Sequence, residues 1–374
     1  YANTFGSFNG GAITATTTGS SQITVGSSTG TDVFNNIPSG GLRLVMTEDA
    51  DSFTMSTNLL NSAGGTEGYL EIDPWAGNDT ITGSADASQY ERLTFTNSAT
   101  TSVNINLGTG GSYVVDGTTY TLTLSDIRQV QTRSITSDDT LIGNALDNSF
   151  RPGAGNDSID GGAGFDELRY SNAGSSINID MRLSTGQVIA DGFGGTDTIA
   201  SIEQFRLSNN ADSFIGSATD ERVRGAGGND SLSGGAGNDT LTGGSGDDLL
   251  VGGAGNDILT GGSGADTFSD SAANLSGDTI ADFSVGDSIV VTDADLSSLN
   301  GSAATSTIDL GGGNLLNLTG VDSSSGSFTA VYNGSATTIS LIGSGTIIGT
   351  SGADFLIGTA GADTIAGLGG SDNI

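Results

Sequence analysis

The chain has 374 residues, of which 43 are acidic and 10 basic, giving a net charge of −33, and it contains neither His nor Cys. Lys is also absent, so every basic residue is Arg, and 36 of the acids are Asp against seven Glu. These figures exclude a His-based triad or zinc site, a Schiff-base or Walker lysine, and any thiol or disulfide chemistry; they also exclude nucleic acid as a natural partner and a basic membrane-surface helix.

Residues 1–91 form a β-rich module. Tyr1 stands where Met would begin a chain, and no signal-peptide pattern follows it, so the expectation is a processed chain, a fragment or the ordered part of something longer. The GxSxG match at Gly26–Gly30 reads as a loop, because no His accompanies it. A faint spacer ends at Asp51-Ser52-Phe53, Leu59-Leu60 allows one helical turn at most, and a single nine-residue unit surrounds Asp79 and Ile81.

Residues 92–167 pair a spacer with a repeat run. From Leu93 the spacer shows an aromatic strand, an Asn-rich turn, alternating apolar residues and a Gly-rich hairpin. The nonads begin near Ser134. They place Asp139, Asn148, Asp157 and Asp166 at position 6, and Leu141, Phe150, Ile159 and Leu168 at position 8.

Residues 168–269 repeat that plan. A second spacer with a Gly-rich hairpin leads into two degraded units, with Asp212 and Phe214, then Glu221 and Val223, in the key positions. Five consecutive nonads follow from Gly225 to Ser269: GAGGNDSLS, GGAGNDTLT, GGSGDDLLV, GGAGNDILT and GGSGADTFS. Position 6 holds Asp230, Asp239, Asp248, Asp257 and Asp266, and position 8 holds Leu232, Leu241, Leu250, Leu259 and Phe268.

Residues 270–348 differ, and the alternation of Ile280, Phe283, Ile289, Val291, Leu315, Leu318, Phe328, Val331 and Ile339 predicts short antiparallel strands, with a helical turn at most near Leu296–Leu299. Residues 349–374 start a third run, with Asp354 and Asp363 at position 6. It stops at Ile374, one residue short of a full unit, which is read as truncation or loss of order. No stretch reaches the roughly 18–20 apolar residues of a membrane span.

The nonad has a physical reading. Its glycines permit a tight turn, and its last three residues form a short strand that points position 8 inward. Two nonads make one coil, so repeat n stacks on repeat n+2. Asp230, Asp248 and Asp266 then share one edge, and Asp239 and Asp257 the other. Carboxylates stacked about 5 Å apart repel by roughly 0.8 kcal/mol even in water, and several such pairs rival the stability of a domain. A cation between turns removes that cost, and carboxylate plus carbonyl oxygen favours Ca²⁺ over Zn²⁺ or Mg²⁺. The competing reading is that these Asp cap turns and keep the chain soluble; it carries more weight for the degraded units, where Asn148 and Glu221 mark weak or empty sites. An EF-hand is not formed at Asp293-Ala294-Asp295, because no glycine or terminal Glu follows in place.

GGAGNDTLT and its neighbours resemble the RTX, or haemolysin-type calcium-binding, repeat family. The resemblance implies an all-β fold, a parallel β-roll interrupted by β-hairpin spacers, with Ca²⁺ between successive turns. It implies Asp79, Asp157, Asp166, Asp230, Asp239, Asp248, Asp257, Asp266, Asp354 and Asp363 as metal ligands. Asp139 and Asp212 complete the candidate set from their place in the frame. Pro74, Trp75 and Pro152 occupy glycine positions of the family pattern, so the first turns of those runs are expected to be distorted.

The family further implies type I export from a Gram-negative bacterium. Expected partners are calcium ions, further copies of the chain and cell-surface polysaccharide. The leading functional expectation is a non-enzymatic structural protein of the cell surface: a surface layer, sheath, filament or adhesin stalk. The second is the calcium-binding and secretion portion of a larger enzyme, toxin or adhesin. The third is a carboxylate-only enzyme on polysaccharide, for which no Asp/Glu pair stands out.

Overall fold

Side chains alternate along a strand, so an Asp-x-apolar triplet sends one residue per repeat inward and needs a facing layer to cover it. The chain provides that layer by winding, and successive nonads alternate between two parallel sheets. The computed structural model describes residues 69–74, 78–83, 90–95, 100–132, 136–185, 187–321 and 325–343, with the backbone of strands within 3–54 and at 346–348 and 364–366. It contains two units, Tyr1–Asn178 with Leu183–Arg206, and Ile179–Arg182 with Leu207–Ile374.

In the second unit the strands Ser231–Ala236, Leu249–Ala254 and Thr267–Asp270 lie in one sheet, with Leu232, Leu250 and Phe268 in register. Arg222–Gly227, Thr240–Ser245 and Ile258–Ser263 lie in the other, with Val223, Leu241 and Leu259 in register. Each step spans two nonads, as the period predicts. All six inward residues are fully buried, and each contributes roughly 1.5–3 kcal/mol of apolar burial.

All of these strands but Thr267–Asp270 run six residues, longer than the three predicted. The ladder resumes past the first glycine of each repeat, with Gly235 opposite Gly253 and Ala236 opposite Ala254. Glycine makes this possible. Gly244 sits at φ +124°, and a methyl group there would overlap the Ala226 carbonyl oxygen of the turn stacked beneath it.

The parallel ladder continues past the nonads. Thr279–Ile280 extends one sheet, with Ile280 beside Leu259, and Ser288–Val291 extends the other, with Ile289 beside Phe268. Both steps are longer than two nonads. The sheets then end in antiparallel strands, as predicted for this region. Thr337–Ile342 pairs with Ser288–Val291 and with Ser327–Tyr332. Thr307–Gly311 pairs with Asn314–Leu318, which itself lies parallel to Thr279–Ile280. One 3₁₀ turn, Ser297–Leu299, falls where a helical turn was the most allowed. Thr346–Ile348 and Thr364–Ala366 pair in parallel, again two nonads apart.

The first unit follows the same plan. Tyr69–Asp73, Tyr90–Thr94, Gln129–Gln131, Ser149–Arg151, Glu167–Arg169 and Gln204–Arg206 stack in parallel. They bury Ile72, Leu93, Val130, Phe150, Leu168 and Phe205. On the facing sheet the spacer Thr100–Asn106, Gly110–Val115 and Thr118–Ser125 forms an antiparallel meander. Its outer strands pair in parallel with Thr140–Ile142 and Asp79–Thr82. In the second spacer Asn178–Asp180 and Val188–Ala190 are hydrogen-bonded neighbours in one sheet, and Val188 also makes an antiparallel bridge to Asp197. Asp191 Oδ1 accepts the amide protons of Phe193, Gly194 and Gly195 and closes the turn between the two bridge residues. The Gly26–Gly30 motif, read as a loop, contributes Gly26, Ser27 and Gly30 to two paired strands of a hairpin. Leu59-Leu60 lies outside the described residues, among which no helix is long and apolar enough to cross a membrane.

Candidate metal centres

Position 6 closes each turn, immediately before the strand. There the Asp carboxylate turns back under its own loop, and its two oxygens have different partners. Oδ1 accepts the backbone amide of the position-6 residue two nonads earlier. Asp248 Oδ1 accepts from Asp230 at 2.8 Å, and Asp266 Oδ1 from Asp248 at 2.9 Å, along one edge. Asp239 accepts from Glu221 and Asp257 from Asp239, both at 2.8 Å, along the other. In the first unit Asp157 accepts from Asp139 at 2.8 Å, Asp166 from Asn148 at 2.7 Å, and Asp139 from Val103 at 2.9 Å.

Oδ2 is left over. In Asp139, Asp157, Asp166, Asp230, Asp239, Asp248 and Asp257 it is buried with no hydrogen-bond partner. The glycine at position 1 makes room for it: a methyl group on Gly225, Gly234, Gly243, Gly252 or Gly261 would overlap the Oδ2 of the Asp five residues on. At Gly225 and Gly234 the same point lies 2.7 Å from the carbonyl oxygen of Gly243 or Gly252, one coil along. Carboxylate and main-chain oxygens thus face a common space.

Burial disfavours the charged form of these acids. It pushes Asp157 up to about 8, Asp166, Asp230 and Asp278 to about 7, and Asp139 and Asp266 to about 6, from 3.8. Asp239, Asp248 and Asp257 are raised for the same reason. In each case the amide hydrogen bond opposes the rise, and for Asp157, Asp230 and Asp266 stacked carboxylates add to it.

Other turns satisfy themselves. The Tyr113 hydroxyl donates to Asp79 Oδ2 at 3.1 Å. Asp212 receives the Ser208 amide on Oδ2 at 2.7 Å and the Ser208 hydroxyl at 3.0 Å. At Asn148 the side-chain nitrogen donates to the carbonyls of Arg128 and Ile127, at 3.3 and 3.5 Å, where an aspartate would present a bare oxygen. Glu221 keeps one partnerless buried oxygen, Oε2, while Oε1 accepts from Ser217 and Thr219. Asp354 and Asp363 lie outside the described residues.

Four acids join the ladders that the nonad frame did not mark. Asp197 accepts the Asp157 amide, Glu203 the Asp166 amide, Asp278 the Asp257 amide and Asp287 the Asp266 amide, at 2.8, 2.8, 2.9 and 3.0 Å. Each stands two residues before an inward apolar side chain: Ile199, Phe205, Ile280 and Ile289. Asp278 Oδ2 is partnerless, whereas Asp197 Oδ2 accepts from Tyr170 and Asp287 Oδ2 from Ser284. Asp191 contributes a further partnerless Oδ2 in the second spacer.

No three acidic side chains gather at one point among the described residues. A cation in these turns would be held by a carboxylate oxygen with main-chain carbonyls. Buried acceptor-only oxygens without donors fit a hard cation of flexible oxygen coordination, which is the chemistry of Ca²⁺. Residues 136–168, 215–250, 242–269 and 341–374 match the RTX calcium-binding nonapeptide repeat. No curated protein matches the chain.

Proposed function

We propose, on the premise that this chain belongs to the RTX calcium-binding nonapeptide-repeat family, that it is a calcium-dependent structural protein of the Gram-negative cell surface, a component of a surface layer, sheath or filament that folds and assembles on meeting extracellular calcium. One observation carries the calcium dependence: the stacked, buried Oδ2 atoms of Asp139, Asp157, Asp166, Asp230, Asp239, Asp248, Asp257 and Asp278, which have no protein donor.

Each residue type has a task. The Oδ1 atoms align successive turns through the amide ladder. The Oδ2 atoms and the carbonyls of the position-1 glycines offer oxygen ligands, and the absent glycine side chains leave room for them. Calcium, when bound, supplies the positive charge that lets these carboxylates stay ionised while buried. Without it the array favours the unfolded chain, in which every carboxylate is hydrated. That condition suits export from a low-calcium cytosol. Outside, millimolar calcium serves even weak sites, and a site at 100 times its Kd stabilises the fold by about 2.7 kcal/mol.

The assembly reading is supported by composition. Residues 225–374 contain 17 Asp and no basic side chain, so calcium is available to bridge acidic turns of neighbouring copies. The test is a calcium titration of the purified chain, followed by far-UV circular dichroism and light scattering together. Folding followed by growth of ordered assemblies, both reversed by chelator, is the expected result. Folding to a stable monomer would favour the calcium-binding portion of a larger secreted enzyme, toxin or adhesin. No calcium-dependent gain of β-structure would overturn the calcium reading itself.

A further inference from the structure

The outward face of the parallel sheet in the first unit holds the only strong concentration of positive charge found among the described residues of that unit. Alternation sends Val130, Phe150, Leu168 and Phe205 inward, so their neighbours in sequence face out. Arg169 lies opposite Arg206 in register, and Arg92 opposite Gln129. With Arg128 these arginines line a cavity of about 300 Å³, at the lower end of small-molecule sites. Four of the chain's ten basic residues thus meet in one pocket of a protein whose net charge is −33.

Two carboxylates stand among these arginines. Glu167 lies at the centre and accepts from Arg169 Nε, Arg206 Nε, Gln204 Nε2 and Ser149 Oγ. Asp147 is the other carboxylate on the wall. Arg92 Nε donates to the Gln129 side-chain oxygen at 3.3 Å. Arg128 is only 7 % exposed, and its Nε has no hydrogen-bond partner. A buried cationic donor without an acceptor carries the full cost of its desolvation. That cost is relieved when an anion enters the cavity.

The wall indicates what kind of anion. Guanidinium forks match planar, bidentate oxyanions. The amides of Gln129 and Gln204 offer donors and acceptors for hydroxyl groups. Phe165 is exposed and presents an apolar surface to the pocket, suited to the face of a sugar ring. The cavity is larger than an inorganic oxyanion needs. We propose that this pocket binds an acidic saccharide unit, its carboxylate or sulfate held by the arginines and its hydroxyl groups by the glutamines. The inference is independent of self-assembly, since it needs only the folded first unit.

The experiment uses the full chain in saturating calcium, titrated calorimetrically with trigalacturonate, a sulfated trisaccharide, maltotriose and inorganic sulfate. Either acidic saccharide is expected to bind, and comparison of the two identifies the preferred anionic group. Arg128→Gln and Arg206→Gln should each weaken binding about tenfold or more, as expected for loss of a charge-assisted contact. Arg182→Gln, an exposed arginine paired with Asp180 outside the pocket, should leave it unchanged. The calcium midpoint for folding, read by circular dichroism, must be the same in all three variants. Arg206→Gln serves if Arg128→Gln fails to fold, since its side chain is 38 % exposed. Binding of sulfate alone, equal binding of maltotriose, equal loss in Arg182→Gln, or no binding by the folded wild type would each overturn the proposal.

Discussion

The backbone amide of Asp230 donates to Asp248 Oδ1 at 2.8 Å, and the other oxygen of the same carboxylate is buried with nothing to accept from. One side chain therefore joins two turns and leaves half of its hydrogen-bonding capacity for something outside the protein. The consequence can be tested by changing that oxygen alone.

Asn148 shows the outcome in advance. Its side-chain nitrogen donates to the Arg128 and Ile127 carbonyls, where an aspartate would present a bare oxygen. Asp248→Asn is therefore expected to retain the fold and to reduce the number of bound calcium ions, counted by metal analysis of the dialysed protein. Asp248→Ala also removes the acceptor for the Asp230 amide, and should cost about 1–3 kcal/mol more in urea unfolding. Equal calcium content in wild type and Asp248→Asn would remove Asp248 from the ligand set.

Acidity should favour the calcium-free fold and oppose calcium binding to it. Burial raises Asp157 to about 8, Asp166, Asp230 and Asp278 to about 7, and Asp139 and Asp266 to about 6. In the unfolded chain these groups return to about 3.8. The calcium-free fold then binds more protons than the unfolded chain through this window. Its stability is full below about pH 4 and is lost as pH rises through 6 to 8. Calcium displaces those protons, so the affinity of the folded form for calcium should rise over the same range, whereas the calcium-loaded fold, ionised like the unfolded chain, should keep its stability between pH 6 and 8. Circular dichroism against pH, in chelator and in graded calcium, measures both; a calcium-free fold that strengthens from pH 5 to 8 would contradict the assignment.

Two backbone positions should respond with opposite sign. Ala226 occupies φ +86°, a region that disfavours a side chain, at a position the next four repeats fill with glycine. Ala226→Gly should stabilise the calcium-loaded fold by about 1 kcal/mol. Gly243→Ala places a methyl group against Asp248 Oδ2 and should raise the calcium midpoint for folding. Chemical denaturation in calcium and a calcium titration read the two effects.

Leu250 is fully buried between Leu232 and Phe268 in the register of its sheet. Leu250→Ala should cost about 2–5 kcal/mol. Leu249, the preceding residue, is exposed, and Leu249→Ala should change urea stability by less than about 0.5 kcal/mol. Similar losses at both positions would contradict the inward direction of position 8.

The parallel winding was legible because Leu232, Leu250 and Phe268 recur at every second nonad with an Asp two places before each. Asp197, Glu203, Asp278 and Asp287 were missed because insertions stretch the step to 40, 37, 21 and 21 residues. The glycines that advertise a nonad are not kept around them, although the acid-x-apolar triplet survives in Asp278-Thr279-Ile280 and its counterparts. The self-satisfied turns were not legible in principle. Nothing local to Asp79 announces that Tyr113, 34 residues on, supplies its donor. The length of the strands depended on a property of the stack: a turn whose glycines let it sit on another turn keeps its ladder beyond the strand triplet.

The alternation of nonads between two sheets imposes a parity on the chain. Asp257 is followed on its edge by Asp278, and Asp266 on the other edge by Asp287, with the same offset for both. Inserting one nonad after Ser269 would exchange those edges, setting Ile280 under Phe268 and bringing the closing antiparallel strands to the wrong sheets. Inserting two would leave every partner in place. Growth or loss of this region by duplication is therefore tolerated in whole coils, and genes of this architecture should vary in length by paired repeats.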